Sequence, residues 1–359
     1  MNKKILFFKI IILSIYLQGA VLAVYADIFS PEKMRSEIIE FMKENDMEVK
    51  LTAPVAITQD KSGVLRITDP GNYFFQYMIQ TPESKDATDP DISMQLKMNI
   101  PDTCNKAVIV THGWIDKGVD GWPEDTASAI HNATDPNEWM SIYFDWKKGA
   151  AVINSADAAR YARYIAGPRL AKAFLKLLPK NHKLEHIHLI AHSAGTWAIT
   201  TAAREIADKT SAQVHLTMLD AYVPKKWDEK QLGKVDSTEK IYAEHYYTKD
   251  ITLGVTQMDL PNAHNIDLTD IDLLIKTHEF PYRWYYATIA GKYRKKDLIN
   301  RSHINVRYKD IEYGFARGME VSKENFKESL SLKKGNKAKV IEKAKKKQEK
   351  LDIFNWFKK

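Results

Sequence analysis

Between residues 107 and 219 the chain carries four short, continuous apolar runs: Ala107–Val110, Ile142–Phe144, Ile187–Ala191 and Val214–Leu219. Continuous apolarity, in place of alternation, suits strands buried on both faces, the usual condition of a parallel sheet. Helical stretches lie between these runs, at residues 156–178 with an interruption at Gly167-Pro168, and at residues 195–208. Strand alternating with helix predicts a mostly parallel sheet with helices on both faces. Upstream, Val64-Leu65-Arg66-Ile67 and residues 93–98 alternate in polarity between Pro- and Asp-rich turns, and are expected to be antiparallel strands at one edge of that sheet. Residues 27–50 predict a polar amphipathic helix carrying Met34, Ile38, Ile39, Phe41 and Met42, and residues 241–248 a further strand. No internal repeat is present. After about Gly318 the apolar periodicity stops until a terminal cluster at Ile353, Phe354, Trp356 and Phe357.

The two ends differ from the body. Lys3, Lys4 and Lys9 precede a mostly apolar stretch from Ile10 to Leu22, and small residues follow at Ala23 and Ala26. This reads as an export signal over residues 1–26, cleaved after Val24-Tyr25-Ala26, with a periplasmic or secreted destination. The apolar run is short for a bilayer span, which disfavours the alternative of an uncleaved anchor. Residues 333–359 hold eleven lysines against Glu342, Glu349 and Asp352, so of the formal charge of +7 the tail supplies +8 and residues 1–26 supply +3. The remaining body, residues 27–332, carries −4, and a nucleic-acid partner loses its electrostatic basis. The tail's charge beside its apolar end suggests peripheral contact with anionic membranes. Cys104 is the only cysteine, so no intramolecular disulfide is possible. The histidines show no metal-ligand spacing, and no metal or cofactor is expected.

Chemistry concentrates where the third apolar run ends. Leu189-Ile190-Ala191-His192-Ser193-Ala194-Gly195 sends a strand directly into a serine between small residues, with a helix following. A serine on such a strained turn needs neighbours without bulk two positions away, which Ala191 and Gly195 provide. A serine hydroxyl needs a base, and the base an orienting acid. The fourth run ends in Met218-Leu219-Asp220, and His278 lies further on, before the aromatic stretch that contains Phe280, Tyr282, Trp284 and Tyr285. Ser193, Asp220 and His278 are therefore the candidate catalytic residues, in the chain order serine, acid, histidine. The backbone N–H groups of Ala194, directly after the serine, and of Trp114, in the His112-Gly113-Trp114 loop after the first run, are the candidate oxyanion donors.

These residues carry a resemblance. His112-Gly113-Trp114-Ile115-Asp116-Lys117-Gly118, Phe144-Asp145-Trp146-Lys147-Lys148-Gly149-Ala150, the turn at Ser193, Leu219-Asp220, and His278 with Pro281 and Trp284-Tyr285 together resemble the pancreatic-lipase-type family of α/β-hydrolases, in the family's order over residues 105–290. The resemblance implies an α/β-hydrolase fold and hydrolysis of carboxyl esters, above all lipid esters, through an acyl-enzyme on Ser193. It also assigns the acid to Asp220. The chain departs from the family's vertebrate members at Ala191, where the usual pattern has glycine. It departs again in residues 221–277, which lack cysteine and in which the segment after Tyr222-Val223-Pro224 is mostly charged, so a large apolar lid is not expected. The expected organisation is a signal over residues 1–26, a catalytic domain over 27–320 and a basic tail over 321–359.

Rival residues exist. Asp250, after Tyr246-Tyr247-Thr248, competes with Asp220 for the role of acid. His264 competes with His278, although Pro261-Asn262-Ala263-His264-Asn265 reads as a turn. His112, His192, Asp145 and Asp116 read as residues that order the surrounding loops. Two further functional readings stand beside ester hydrolysis: a non-catalytic lipid- or ligand-binding member of the fold, and an acyl hydrolase of thioesters or amides.

Overall fold

The computed structural model describes residues 54–71, 92–95, 98, 100–114, 121–152, 154–178, 183–238, 240–249, 259–269, 277–296, 303–307, 314–316 and 318–319. The export segment, the helix expected at residues 27–50, Asp116, Asp250 and the lysine-rich tail lie outside the described residues. Among the described residues no helix is long and apolar enough to cross a membrane.

Each apolar run forms a strand of one nine-stranded sheet. In chain order the strands are β1 (Val55–Gln59), β2 (Leu65–Thr68), β3 (Ile92–Met94), β4 (Lys106–Thr111), β5 (Trp139–Asp145), β6 (His186–His192), β7 (Gln213–Leu219), β8 (Ile241–Tyr247) and β9 (His264–Asp267). Their spatial order is β3-β1-β2-β5-β4-β6-β7-β8-β9. All neighbouring pairs are parallel except β1 with β2. In the central register Ile109 stands between Ile142 and Leu189.

Because successive side chains on a strand point to opposite faces, each central strand feeds two cores. Ala107, Ile109, Ile187 and Leu189 face one layer, formed by α3 (Ser155–Tyr161), α4 (Gly167–Leu177) and α5 (Gly195–Lys209). Val108, Val110 and Ile190 face the other, formed by α1 (Trp122–Ala133) and α6 (Phe280–Ala290). A short α2 (Lys147–Ala150) follows β5. Each fully buried aliphatic side chain contributes roughly 1.5–3 kcal/mol, so this double layer fixes where the strand ends lie. A separate two-stranded hairpin, β10 (Lys292–Lys296) with β11 (His303–Arg307), follows α6.

The edge strands differ from the sequence expectation. β2 lies inside the sheet, parallel to β5, and its antiparallel partner is β1, which alternation had not marked. Only Val55 and Ile57 of β1 face the core, too few positions to stand out above the surrounding polar sequence. β3 pairs parallel with β1 at the edge. The interruption expected at Gly167-Pro168 is a wide turn, Ala162–Ala166, in which the Gly167 N–H bonds to the Ala162 carbonyl five residues back. Pro168 cannot donate and disfavours ordinary helical spacing ahead of it. Gly167 is required there because a Cβ would lie 2.7 Å from the Ala198 carbonyl of α5.

Candidate active site

The turn between β6 and α5 sets Ser193 at φ 55, in the left-handed region. For a residue with a side chain that conformation costs roughly 1–2 kcal/mol, and it is held by packing on both sides. The Ser193 N–H donates to Leu219 O at 3.0 Å, extending the sheet ladder one step past β6. A Cβ on Gly195 would lie 2.1 Å from His112 O, so only glycine lets the loop after β4 cross the turn this closely. The same built atom would be 3.5 Å from the Ala191 Cβ, an ordinary contact, so Ala191 fits where a larger side chain would not. A Cβ on Gly113 would meet the Ser193 Cβ at 2.7 Å and its Oγ at 3.3 Å. The Gly113-Trp114 peptide thus begins against the serine. Ala194, on the serine's other side, caps α5, where backbone N–H groups are left without partners inside the helix.

The loop after β4 is pinned through His112. Its Nδ1 donates to Gly113 O at 2.9 Å, while its Nε2 accepts from the Trp146 N–H at 3.1 Å. Trp146 returns a bond from its Nε1 to His112 O and stacks on the His112 ring at 5.1 Å. Both ring nitrogens of His112 are therefore engaged away from Ser193. Asp145 completes the anchor by accepting from Arg66 and from the Lys147 N–H. Burial alone would raise its pKa, but the His112 ring, Arg66 and the Lys147 N–H outweigh that and hold it well below the usual carboxylate range. The Trp114 indole bonds to Val152 O at 3.0 Å, which ties Trp114 to the segment after α2.

Asp220 follows β7 at φ 46, also left-handed, and is fully buried. Its N–H donates to Tyr246 O at 2.7 Å, so the residue continues the sheet while its carboxylate turns out of the strand direction. Oδ2 accepts from His278 Nδ1 at 2.7 Å and Oδ1 from the Thr248 N–H at 3.4 Å. His278 sits in a 3₁₀ turn, Thr277–Glu279, just before α6, and its side chain is 23% exposed. Donation from Nδ1 to an acid leaves the lone pair on Nε2, the form a general base requires.

Sequence reasoning had left His192 as a local residue, and its position gives it a definite task. Its Nε2 donates to His278 O at 2.8 Å, so the residue before the serine holds the backbone of the histidine 86 positions later. Burial, with the nearby His278 and Arg283, pushes the His192 pKa well below the usual imidazole value, which keeps the ring a neutral donor. The ring sits edge-on against Trp122 and Tyr282, which stack on each other at 4.8 Å. His264, by contrast, opens edge strand β9 in register with Glu244 and stacks on Tyr242. It begins a strand, where the sequence suggested a turn. Cys104 is buried and donates from Sγ to Pro136 O at 3.2 Å, and burial raises its pKa.

A second polar cluster on these strands was not legible in the sequence. Glu244 of β8 accepts from Thr217 Oγ1 at 2.7 Å, His215 Nε2 at 3.1 Å and Tyr246 OH at 2.7 Å, and His188 Nε2 bonds to Thr217 Oγ1 at 2.8 Å. His188, His215 and Glu244 also form a group with metal-type donor atoms within 4.8 Å of one another. The two rings, however, stack 3.6 Å apart and 4° from parallel. No point lies in both ring planes, so their lone pairs cannot converge on one ion, and the donor set does not fit a metal as it stands.

A parallel sheet that delivers a serine, then an acid at the next strand end, then a histidine to its carboxyl edge defines the α/β-hydrolase class. The family model described as Lipase matches residues 46–257, more than half of the chain, and the protein belongs to that lipase family, of the pancreatic-lipase type. Among similar proteins, pancreatic lipase-related protein 2 of Sus scrofa is 25% identical over 149 residues, 40% of this chain and 29% of its own length. The Homo sapiens protein of that name is 24% identical over 149 residues, again 29% of its length. Inactive pancreatic lipase-related protein 1 of Homo sapiens is 31% identical over 116 residues, 32% of this chain and 23% of its own length. The chain thus matches less than a third of the length of these three relatives.

Proposed function

We propose that the protein is an exported serine hydrolase of carboxyl esters, with lipid esters as its substrate class. Ser193 Oγ attacks the ester carbonyl, and His278 Nε2 takes the hydroxyl proton. Asp220, through Nδ1, fixes the imidazole tautomer and stabilises the imidazolium that forms. The negative charge on the carbonyl oxygen is met by the N–H groups of Ala194 and Trp114, each such donor being worth about 2.7–4 kcal/mol in a transition state. His278 returns its proton to the leaving alcohol, leaving an acyl ester on Ser193. Water, deprotonated by the same imidazole, releases the acid and restores the serine. The observation that carries this reading is the 2.7 Å pair between Asp220 and His278, whose backbone is held by the residue before a serine on a left-handed turn.

Membership in a lipase family and relatives named as pancreatic lipase-related proteins support lipid esters as the substrate class, and the lysines and apolar stretch within residues 1–26 support export. The relative named as inactive favours a second reading, in which the fold binds lipid without turnover. A panel of p-nitrophenyl esters, a diacylglycerol and a phospholipid, given to the purified protein and to Ser193→Ala, separates the two. The proposal expects hydrolysis by the parent and a loss on the order of 10⁴-fold or more in the variant. Lipid binding by a parent that turns over none of the panel establishes the second reading.

A further inference from the structure

Arg163 differs from the other arginines whose side chains are described. Arg66, Arg160, Arg169 and Arg283 each pair with a carboxylate, and Arg204 bonds to the carbonyls of Lys234 and Gln231. Among the described residues Arg163 has neither kind of partner. Aromatic rings surround it instead: its Cζ lies 5.1 Å from the Tyr164 centroid, 5.1 Å from Trp197 and 5.3 Å from Trp227. Trp197 and Trp227 meet edge to face at 4.5 Å, and Tyr164 stands 6.3 Å from Trp227. Rings attract a guanidinium without replacing the oxygen acceptors its N–H groups take in a carboxylate pair, and a planar fork matches phosphate or carboxylate oxygens.

The box touches the segments that follow Ser193 and Asp220. Trp197 lies in the first turn of α5, four residues after the serine, and its Nε1 donates to Tyr222 O at 2.8 Å, two residues past Asp220. Trp227 ends the Pro224-Lys225-Lys226-Trp227 turn, closed by a bond from the Trp227 N–H to Pro224 O at 2.9 Å. That turn leaves Lys225 and Lys226 exposed. Arg163 itself is half-buried in the wide turn Ala162–Ala166, and such turns recur at functional sites. A second cation, Arg204, lies close enough to interact with Arg163. Burial, and then the charge of Arg163, lower the Arg204 pKa, with Asp236 opposing. Asp228, the nearest acid in sequence to Trp227, is occupied in part by accepting from the Lys230 N–H. This local excess stands against a chain body that carries −4 over residues 27–332.

We propose that Arg163, oriented by Tyr164, Trp197 and Trp227, is a phosphate-recognition site that selects phosphate-bearing acyl esters for the Ser193 centre. The inference rests on the reading of Ser193 as a hydrolase nucleophile and adds a selectivity that the triad itself lacks. A phosphate oxygen pair takes the guanidinium fork, Lys225 and Lys226 add long-range attraction, and the ester bond is presented to the neighbouring serine. Half-burial strengthens the pair relative to one in open water.

Binding and turnover can be read separately. The full chain carrying Ser193→Ala is titrated with dihexanoyl phosphatidylglycerol, dihexanoyl glycerol and inorganic phosphate at matched ionic strength, following tryptophan fluorescence, with Trp227→Phe to assign the signal. The proposal expects a saturable change with the phospholipid, at least tenfold tighter than with the neutral lipid, and weaker saturation with phosphate alone. Arg163→Gln should abolish the preference and Arg163→Lys should retain part of it, with circular dichroism and melting temperature reporting that both variants fold. In proteins with Ser193 restored, Arg163→Gln should lower the ratio of kcat/KM for phospholipid over diacylglycerol by about tenfold or more. Equal binding of charged and neutral lipid, or saturation by phosphate with no preference for the phospholipid, overturns the site. A folded Arg163→Gln that keeps the preference overturns it as well. Phosphate-dependent binding by a parent chain that hydrolyses nothing upholds the site and overturns the hydrolase reading instead.

Discussion

Two groups of hydroxyl, histidine and acid stand on the same strands of this protein, and only one is proposed to carry chemistry. Ser193, His278 and Asp220 lie at the carboxyl ends of β6 and β7 and on the turn before α6. Thr217, His215 and Glu244 lie in the middle of β7 and β8, with His188 of β6 stacked beside them. In the interior group the hydroxyl and the imidazole both donate to the carboxylate, so nothing is left to take a proton from the hydroxyl. At the strand ends the acid bonds to the histidine, and the serine is free of both in this structure's hydrogen bonds. The interior residues keep strand geometry, whereas Ser193 and Asp220 sit at positive φ. Residue type does not separate these groups; direction, exposure and backbone strain do.

The largest expected effect sharpens this contrast. Asp220→Asn keeps the shape but presents an amide to His278 Nδ1, and kcat/KM should fall on the order of 10⁴-fold, by analogy with an amide replacing a triad acid. Glu244→Gln should leave kcat of the folded protein within about threefold. A loss in Glu244→Gln comparable to that in Asp220→Asn would break the distinction between the two groups.

The interior group should instead answer in stability. Glu244→Ala strips three buried donors, on Thr217, His215 and Tyr246, of their acceptor. A cost of about 3–5 kcal/mol is expected, measured as a lower urea midpoint. An unchanged midpoint would mean that the network contributes nothing to the fold.

Next in size is a pH effect beneath Asp220. His245 accepts from the Ala221 N–H at 3.1 Å, and burial pushes its pKa down to about 4. The unfolded chain takes up this proton near pH 6.5 and the folded one near pH 4, so the related stability is full above pH 6.5. It falls as the pH drops through that window, by about 3 kcal/mol at its end. His245→Asn should flatten this part of the stability profile, and an unaltered slope would remove His245 as its source.

The smallest effect concerns His192. His192→Phe removes the donor to His278 O while keeping a ring against Trp122 and Tyr282, and kcat/KM should fall by about tenfold. Full activity would show that the 3₁₀ turn is held without it.

Much of this arrangement was legible because it is local. The four apolar runs marked β4 to β7, and Ser193 and Asp220 each follow the end of such a run. The edge was less legible: β1 offers only Val55 and Ile57 to the core, and His264 begins a strand within what the sequence presents as a turn. The bond from His192 to His278 O spans 86 residues and follows from no spacing rule. The interior cluster was hidden for the same reason, since His188, His215 and Glu244 meet only through the register of three strands. The Arg163 box likewise joins α3's continuation, α5 and the loop after β7, which no sequence window contains.

The central claim, that Ser193 is an activated nucleophile and the interior hydroxyl is not, is tested most directly by covalent labelling. Purified protein is treated with a fluorophosphonate and the modified peptide identified by mass spectrometry, alongside Ser193→Ala. The account expects a single adduct on Ser193, formed in parallel with loss of ester hydrolysis and absent from the variant. Ester hydrolysis that survives in Ser193→Ala, or is lost while Ser193 stays unmodified, would contradict it.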